Sequence, residues 1–211
     1  MPVSQGAAFE ANAADRGGSV VFKIGGSLLD LPDLADRIER LLAQRPAARP
    51  LMVIGGGAAA DVVRRWDQTH RLGDERAHWL AIDAMALTAA LVGSLMPQAV
   101  LVEDIPEWSA ACLAGGIPVL DARRFLRRIP QDALPFSWDV TSDSIAACAA
   151  IHWRASELVL VKSIDPPPGD PRRAVSPIAV VVDEHFGKLA ASIPRVSWMN
   201  LRAEHARIQS W

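Results

Sequence analysis

Short apolar runs alternate with amphipathic stretches along this chain. Residues 20–24, 51–54, 99–102, 117–120 and 158–161 are apolar except for Lys23 and Pro118. That is the texture of strands buried on both faces. Residues 178–182 and 196–199 read as two further strands. Pro32 opens a stretch with Leu34, Ile38, Leu41 and Leu42 on one side, as a helix places them. Residues 58–66 form a second helix, with Val62, Val63 and Trp66 inward and Asp61, Arg64 and Arg65 outward. Gly73 and Asp74 break the chain, and 75–96 reads as one long, largely buried helix. A short helix ends near Gly115 and Gly116. Residues 123–135 read as a polar, proline-bounded connection. Thr141 or Ser142 caps a helix running to about Arg154, and helices are expected around 184–191 and 201–209. Apolar strands alternating with helices predict a parallel sheet covered on both faces, with ligands bound at the carboxyl ends of the strands.

Composition narrows the classes. The chain has 211 residues, half of them hydrophobic, so it buries a real core. Residues 1–18 read as a loose N-terminal leader and 19–211 as a single domain, since no repeat or composition shift divides them. A net charge of −2 argues against a general nucleic-acid or anionic-membrane binder. The longest apolar stretch, 79–102, is interrupted by Asp83, Ser94, Pro97 and Gln98, which argues against a membrane span. The N-terminus lacks the basic start and apolar block of an export signal, so a cytoplasmic location is expected. Cys112 and Cys148 make neither a metal spacing nor a disulfide framework. The five histidines show no metal spacing, and no metal-ligating residues are assigned.

The strand ends carry the candidate chemistry. Only Lys23, Lys162 and Lys188 among 22 basic residues are lysines. Lys23 sits in an apolar strand, where an ammonium must pair or meet an anion. Lys162 ends the fifth strand and is followed by Ser163. Lysine serves phosphate as a point charge that the forked guanidinium does not imitate. Lys188 reads as a solvated helix residue. Glycines at 25 and 26, followed by Ser27, end the first strand, and Gly55, Gly56 and Gly57 end the second. Without side chains, their backbone N–H groups can converge on anions at a helix start. The run from Trp138 through Asp139, Val140, Thr141, Ser142 and Asp143 to Ser144 brings carboxylates and hydroxyls to another helix start. Asp143 can stand between the lysines and fix both. Thr141 and Ser142 can donate to phosphate oxygens or cap the helix, and these roles stay open. The Rossmann, P-loop and nucleophile-elbow motifs are absent.

In this order, residues 23–27, 55–57, 141–144 and 158–163 resemble the amino-acid kinase superfamily, which includes aspartate, acetylglutamate and uridylate kinases. The resemblance spans about 20–165. Within it, residues 55–64, 78–85, 138–144 and 182–186 are similar to the aminomethylfuran phosphate kinase branch of methanofuran biosynthesis, with relatives in one-carbon metabolism. The resemblance implies an αβα sandwich with an open, mainly parallel sheet. It implies ATP and Mg²⁺, with Lys23, Asp143 and Lys162 catalytic. Gly25, Gly26, Ser27, Ser163 and Asp165 would meet the nucleotide. Gly55, Gly56, Gly57, Arg64, His78, Asp139, Thr141 and Ser142 would meet the acceptor. An aromatic acceptor would suit a site near Trp79 or Trp138. A phosphate monoester is already ionised, so the acceptor would need no general base.

Two departures matter. After Asp165 the chain runs Pro166, Pro167, Pro168, where relatives carry a loop that shapes the nucleotide pocket. The later glycine-rich segment with a second transfer lysine is missing, leaving Lys162 as the candidate replacement. The expected partner is a small molecule, with neither nucleic acid nor membrane. Relatives are often dimers or larger, and helix 75–96 can serve core or interface. Two alternatives stand beside the phosphate-monoester kinase: a non-catalytic ligand-binding module on the same scaffold, and a carboxylate or carbamate kinase.

Overall fold

The computed structural model describes residues 18–130, 133–168 and 181–211. Its strands are β1 (Ser19–Ile24), β2 (Arg49–Ile54), β3 (Ala99–Val102), β4 (Ile117–Leu120), β5 (Glu157–Lys162), β6 (Val196–Asn200) and β7 (Gln209–Ser210). They form one sheet in the order β3-β4-β2-β1-β5-β6-β7. Neighbours are parallel except β7, which is antiparallel to β6. The helices are α1 (Leu34–Leu42), α2 (Gly57–His70), α3 (Asp74–Leu95), α4 (Ile105–Leu113), α5 (Ala122–Arg128), α6 (Ser142–His152) and α7 (Phe186–Ala190). The result is the mainly parallel α/β sandwich the pattern implies.

Strand alternation divides the core. Val20, Phe22, Ile24, Val159 and Val161 pack with α1 residues Leu34, Ile38 and Leu41 on one face. Val21, Leu158 and Leu160 pack with α6 and α7 on the other. Because side chains alternate with period two, Lys23 follows Val21, and Lys162 follows Leu158 and Leu160. Both lysines therefore belong to the face that α6 covers. Beyond its first turn, α6 buries Ile145, Ala146, Ala147, Ala149 and Ala150. These mostly small side chains let the helix lie close against the sheet, bringing its first turn to the strand ends.

The observed fold differs from the expected elements in several places. The connection expected at 123–135 contains α5, which buries Phe125 and Leu126 and turns its arginines outward. Asp121 caps it by accepting from Arg124 N at 3.0 Å, while Arg124 and Arg128 pair with buried Glu103. With so few inward apolar positions, α5 left little periodic signal. The helix expected at 201–209 is a series of turns ending in β7. Gln44, in the turn after α1, donates to Ala206 O and accepts from Ile208 N, holding that segment in a non-helical path. Of the strand expected at 178–182, residues 178–180 lie outside the described residues, and 181–182 form a turn and bend. All but the last residue of the expected leader also lies outside them. Helix α3 is long and apolar enough to cross a membrane by length and composition. In the fold it buries Ala77, Ile82, Met85, Ala89 and Val92 and exposes Leu87, Leu91 and Leu95.

Candidate functional site

The two glycine loops meet at the carboxyl ends of β1 and β2. A Cβ on Gly57 would stand 2.6 Å from Gly26 O, and Gly57 also has φ +52°. A Cβ on Gly26 would overlap the Gly57 backbone, and one on Gly55 would come within 2.9 Å of Gly26 N. The approach of these backbones, rather than turn geometry alone, requires glycine here. Gly25 N donates to Val161 O at 2.8 Å, tying the first loop to β5.

Beside these loops a buried triad joins three elements. Lys23 Nζ lies 2.9 Å from Asp143 Oδ1, and Lys162 Nζ lies 2.7 Å from Asp143 Oδ2. Lys162 also donates to Val181 O at 2.8 Å, and its Nζ stands 5.8 Å from the centre of the Trp198 ring. Burial alone would raise the Asp143 pKa, but Lys23 and Lys162 more than offset this and hold the carboxyl below its ordinary range. Burial, then the neighbouring Lys23 ammonium, pushes Lys162 down to about 8. With both lysines protonated, two positive charges face one negative charge, leaving a net positive site suited to an anion.

Two cavities flank the glycine contact. The first, of about 210 Å³, is lined by Gly26, Ser27, Gly56 and Gly57. Asp61, Arg64, His78, Trp138, Thr141 and Ser142 complete its polar and aromatic wall. Arg64 donates to Asp61 at 2.8 Å and lies 4.7 Å from the centre of the Trp138 ring. The Trp138 indole donates to Asp67 at 2.8 Å, fixing that wall. His78 is buried and rests against Trp79 and Phe136. Burial lowers its pKa, which favours the neutral imidazole at pH 7. The second cavity, of about 750 Å³, shares both glycine loops and reaches Ser163 and Arg202. Ser27 and Ser163 pair through their hydroxyls at 3.0 Å.

Most of the expected residues therefore gather in one region, but not all do so in the expected way. Lys23, Asp143 and Lys162 touch one another and line neither cavity. Gly25 and Gly55 are buried behind the cavity walls. Thr141 is a cap: its hydroxyl donates to Asp183 at 2.7 Å and accepts from Asp143 N at 3.3 Å. Asp139 is exposed and accepts from Ser137 Oγ, outside the first cavity's lining. Asp165 is also exposed, with its carboxylate accepting from Asn200 at 3.0 Å. Indoles hold the chain on either side of it: Trp198 donates to Ile164 O at 2.8 Å before it, and Trp211 to Pro167 O at 3.2 Å in the proline run after it.

Two residues at the site were not singled out from the sequence. Arg202, just beyond β6, donates to Ser27 O at 2.8 Å and pairs with Asp30. Asp183 binds the start of α6. Arg202 is far in the chain from Ser27 and Asp30, and Asp183 from Thr141 and Ser144; residues 182–186 carried a family resemblance, but no local pattern marked Asp183 as the partner of the α6 start.

Comparison with known proteins gives a consistent picture. The amino acid kinase family matches residues 18–166. None of the curated proteins matches. A uridylate kinase from Archaeoglobus fulgidus is similar in structure, with a TM-score of 0.61 and 21% identity over 84% of this chain and 88% of its own. A UMP kinase from Ureaplasma parvum has a TM-score of 0.61 and 15% identity, over 90% and 93% of the two chains. An aspartate kinase from Synechocystis has a TM-score of 0.62 and 15% identity, over 88% of this chain and 39% of its own. At these identities the structural likeness shows the fold.

Proposed function

We propose that this chain, which belongs to the amino acid kinase family, transfers the γ-phosphoryl group of ATP to a small anionic acceptor. Membership supports a small-molecule phosphotransferase in general. The observation that carries the reading further is the Lys23–Asp143–Lys162 triad at the strand ends beside the glycine loops. Phosphoryl transfer asks for positioning and charge neutralisation more than for covalent chemistry. A buried carboxylate that holds two ammonium groups supplies both.

The acceptor we favour is a phosphate monoester, such as aminomethylfuran phosphate, bound in the first cavity. An acceptor phosphate oxygen forms a bond to the γ-phosphorus. The bond from that phosphorus to the β–γ bridging oxygen breaks, and ADP leaves with the electron pair. The attacking oxygen carries no proton, so the neutral His78 is not required as a base. Its place in the lining, with Arg64 and Trp138, fits recognition of an anionic acceptor with an aromatic body. The second cavity would receive the nucleotide phosphates near Ser27, Ser163 and Arg202. Among the described residues, no three His, Cys, Asp or Glu side chains cluster to hold a metal. Mg²⁺ would therefore be held chiefly by the nucleotide phosphates, as it often is. Bound there, it would neutralise phosphate charge.

A second reading, a ligand-binding module without turnover, draws on the indole-pinned proline loop and the exposed Asp165. Calorimetry with ATP and Mg²⁺, followed by ADP release with and without aminomethylfuran phosphate, separates the two. Acceptor-dependent ADP release supports the kinase. Ligand binding without ADP release supports the module, and absence of nucleotide binding removes the kinase reading.

A further inference from the structure

We infer that Asp183 is a positioning residue for phosphoryl transfer: through the first turn of α6 it sets where Asp143 stands between Lys23 and Lys162. This rests on the kinase reading above. The first N–H groups of a helix have no partner within it. Thr141 meets one of them only through a long bond, 3.3 Å from Asp143 N. Asp183 reaches the same turn from outside the helix. Its Oδ2 accepts from Thr141 N at 2.9 Å, Thr141 Oγ1 at 2.7 Å and Ser144 N at 3.1 Å. Its Oδ1 accepts from the Ser144 hydroxyl and from Phe186 N, the latter at 2.9 Å. Asp143 lies between Thr141 and Ser144, so its backbone is clamped on both sides.

The same segment reaches the other half of the triad. Two residues before Asp183, the Val181 carbonyl accepts from Lys162 Nζ. Residues 181–183 thus hold the bridging carboxylate through a helix cap and one ammonium directly. The groups facing Lys162 are Asp143 from α6, Lys23 from β1, the Trp198 ring from β6 and the Val181 carbonyl. A shift of the α6 start changes the first of these contacts and leaves the others. A cap with no further role would lower stability when removed, but it would leave the lysine charge alone.

The test compares Asp183→Asn with Glu157→Gln. Glu157 is fully buried at the opposite end of β5, bound by Arg45 and Ser197, and serves as a structural control. With only three lysines in the chain, Lys162 can be followed by NMR of labelled lysine side chains without any substrate. The expected result for Asp183→Asn is a fall of about half a pH unit or more in the Lys162 titration, because the carboxylate that favours its charged form has moved. Turnover should fall about 10–100-fold with KM for ATP changed less than about threefold, a loss confined to the transition state. Glu157→Gln should lower stability and leave both the titration and turnover in place. Ser144→Ala, which removes a single bond to Asp183, should act in the same direction more weakly and serves if Asp183→Asn does not fold. An unchanged Lys162 titration in the folded variant, or an equal change in Glu157→Gln, overturns the inference. Absence of transfer by the unaltered protein would instead remove the kinase reading, while the titration still reports on the positioning of Lys162.

Discussion

Replacing Asp143 with Asn removes the one negative charge from a nearly dry cluster. The side chains of Lys23, Asp143 and Lys162 are 5%, 5% and 14% exposed, so water offers little compensation. Breaking a buried ion pair by removing one partner costs about 3–5 kcal/mol. The low end is expected here, because the cluster has a cheap escape. Lys162 already titrates near 8, and each further unit of depression corresponds to only about 1.4 kcal/mol. In the variant Lys162 should therefore be largely neutral at pH 8. The cluster then keeps one positive charge, as the unaltered triad does when both lysines are protonated. Attraction for nucleotide should survive, with KM for ATP within a few-fold, while the paired ammonium geometry is lost. Removing one preorganised group of this kind costs about 10²–10³ in turnover. Denaturant unfolding measures the first effect and acceptor-dependent ADP release the second. Turnover within threefold of the unaltered protein, or an unchanged unfolding midpoint, would rule out this role for Asp143.

Other predictions follow from the same geometry. Lys23→Arg should lose most activity while remaining folded, since a planar fork cannot occupy the point held by an ammonium; steady-state kinetics with circular dichroism checks this. The Lys162 pKa lies below its ordinary range, so its charge is present below about 8 and is lost above it. If transfer needs that charge, kcat/KM should fall on the alkaline side of about 8, and a profile flat from pH 7 to 9.5 would count against Lys162. Gly57→Ala should destabilise the protein by about 1–3 kcal/mol through a forced contact and a strained φ, read from thermal unfolding. Arg202→Ala should raise KM for ATP several-fold with a smaller effect on turnover, because Arg202 lines the cavity assigned to the nucleotide.

The sequence made Lys23 conspicuous because a charge interrupts an apolar strand. Period-two alternation then puts it on the same face as Lys162, and Asp143 stands in a helix start that reaches that face. These relations are local or follow from regular geometry. Asp183 was not legible as a cap, because it lies 39 residues from Ser144 in the chain and meets it only in the folded molecule. Thr141 follows the same pattern: a partner from another loop takes its hydroxyl, which favours the capping role of the two the sequence offered. Asp139 looked like part of one polar run, yet its exchange of hydrogen bonds with Ser137 sets it at the exposed end. Helix α5 escaped because arginines occupy most of its positions, leaving only Phe125 and Leu126 as large apolar markers.

Phosphoryl transfer beside the triad can be read directly by ³¹P NMR of a mixture of protein, ATP, Mg²⁺ and aminomethylfuran phosphate. The expected result is conversion of the ATP signal to ADP and a new diphosphate ester, with folded Lys23→Ala producing neither. A spectrum that stays unchanged with the unaltered protein, or a conversion that proceeds equally with Lys23→Ala, would contradict it.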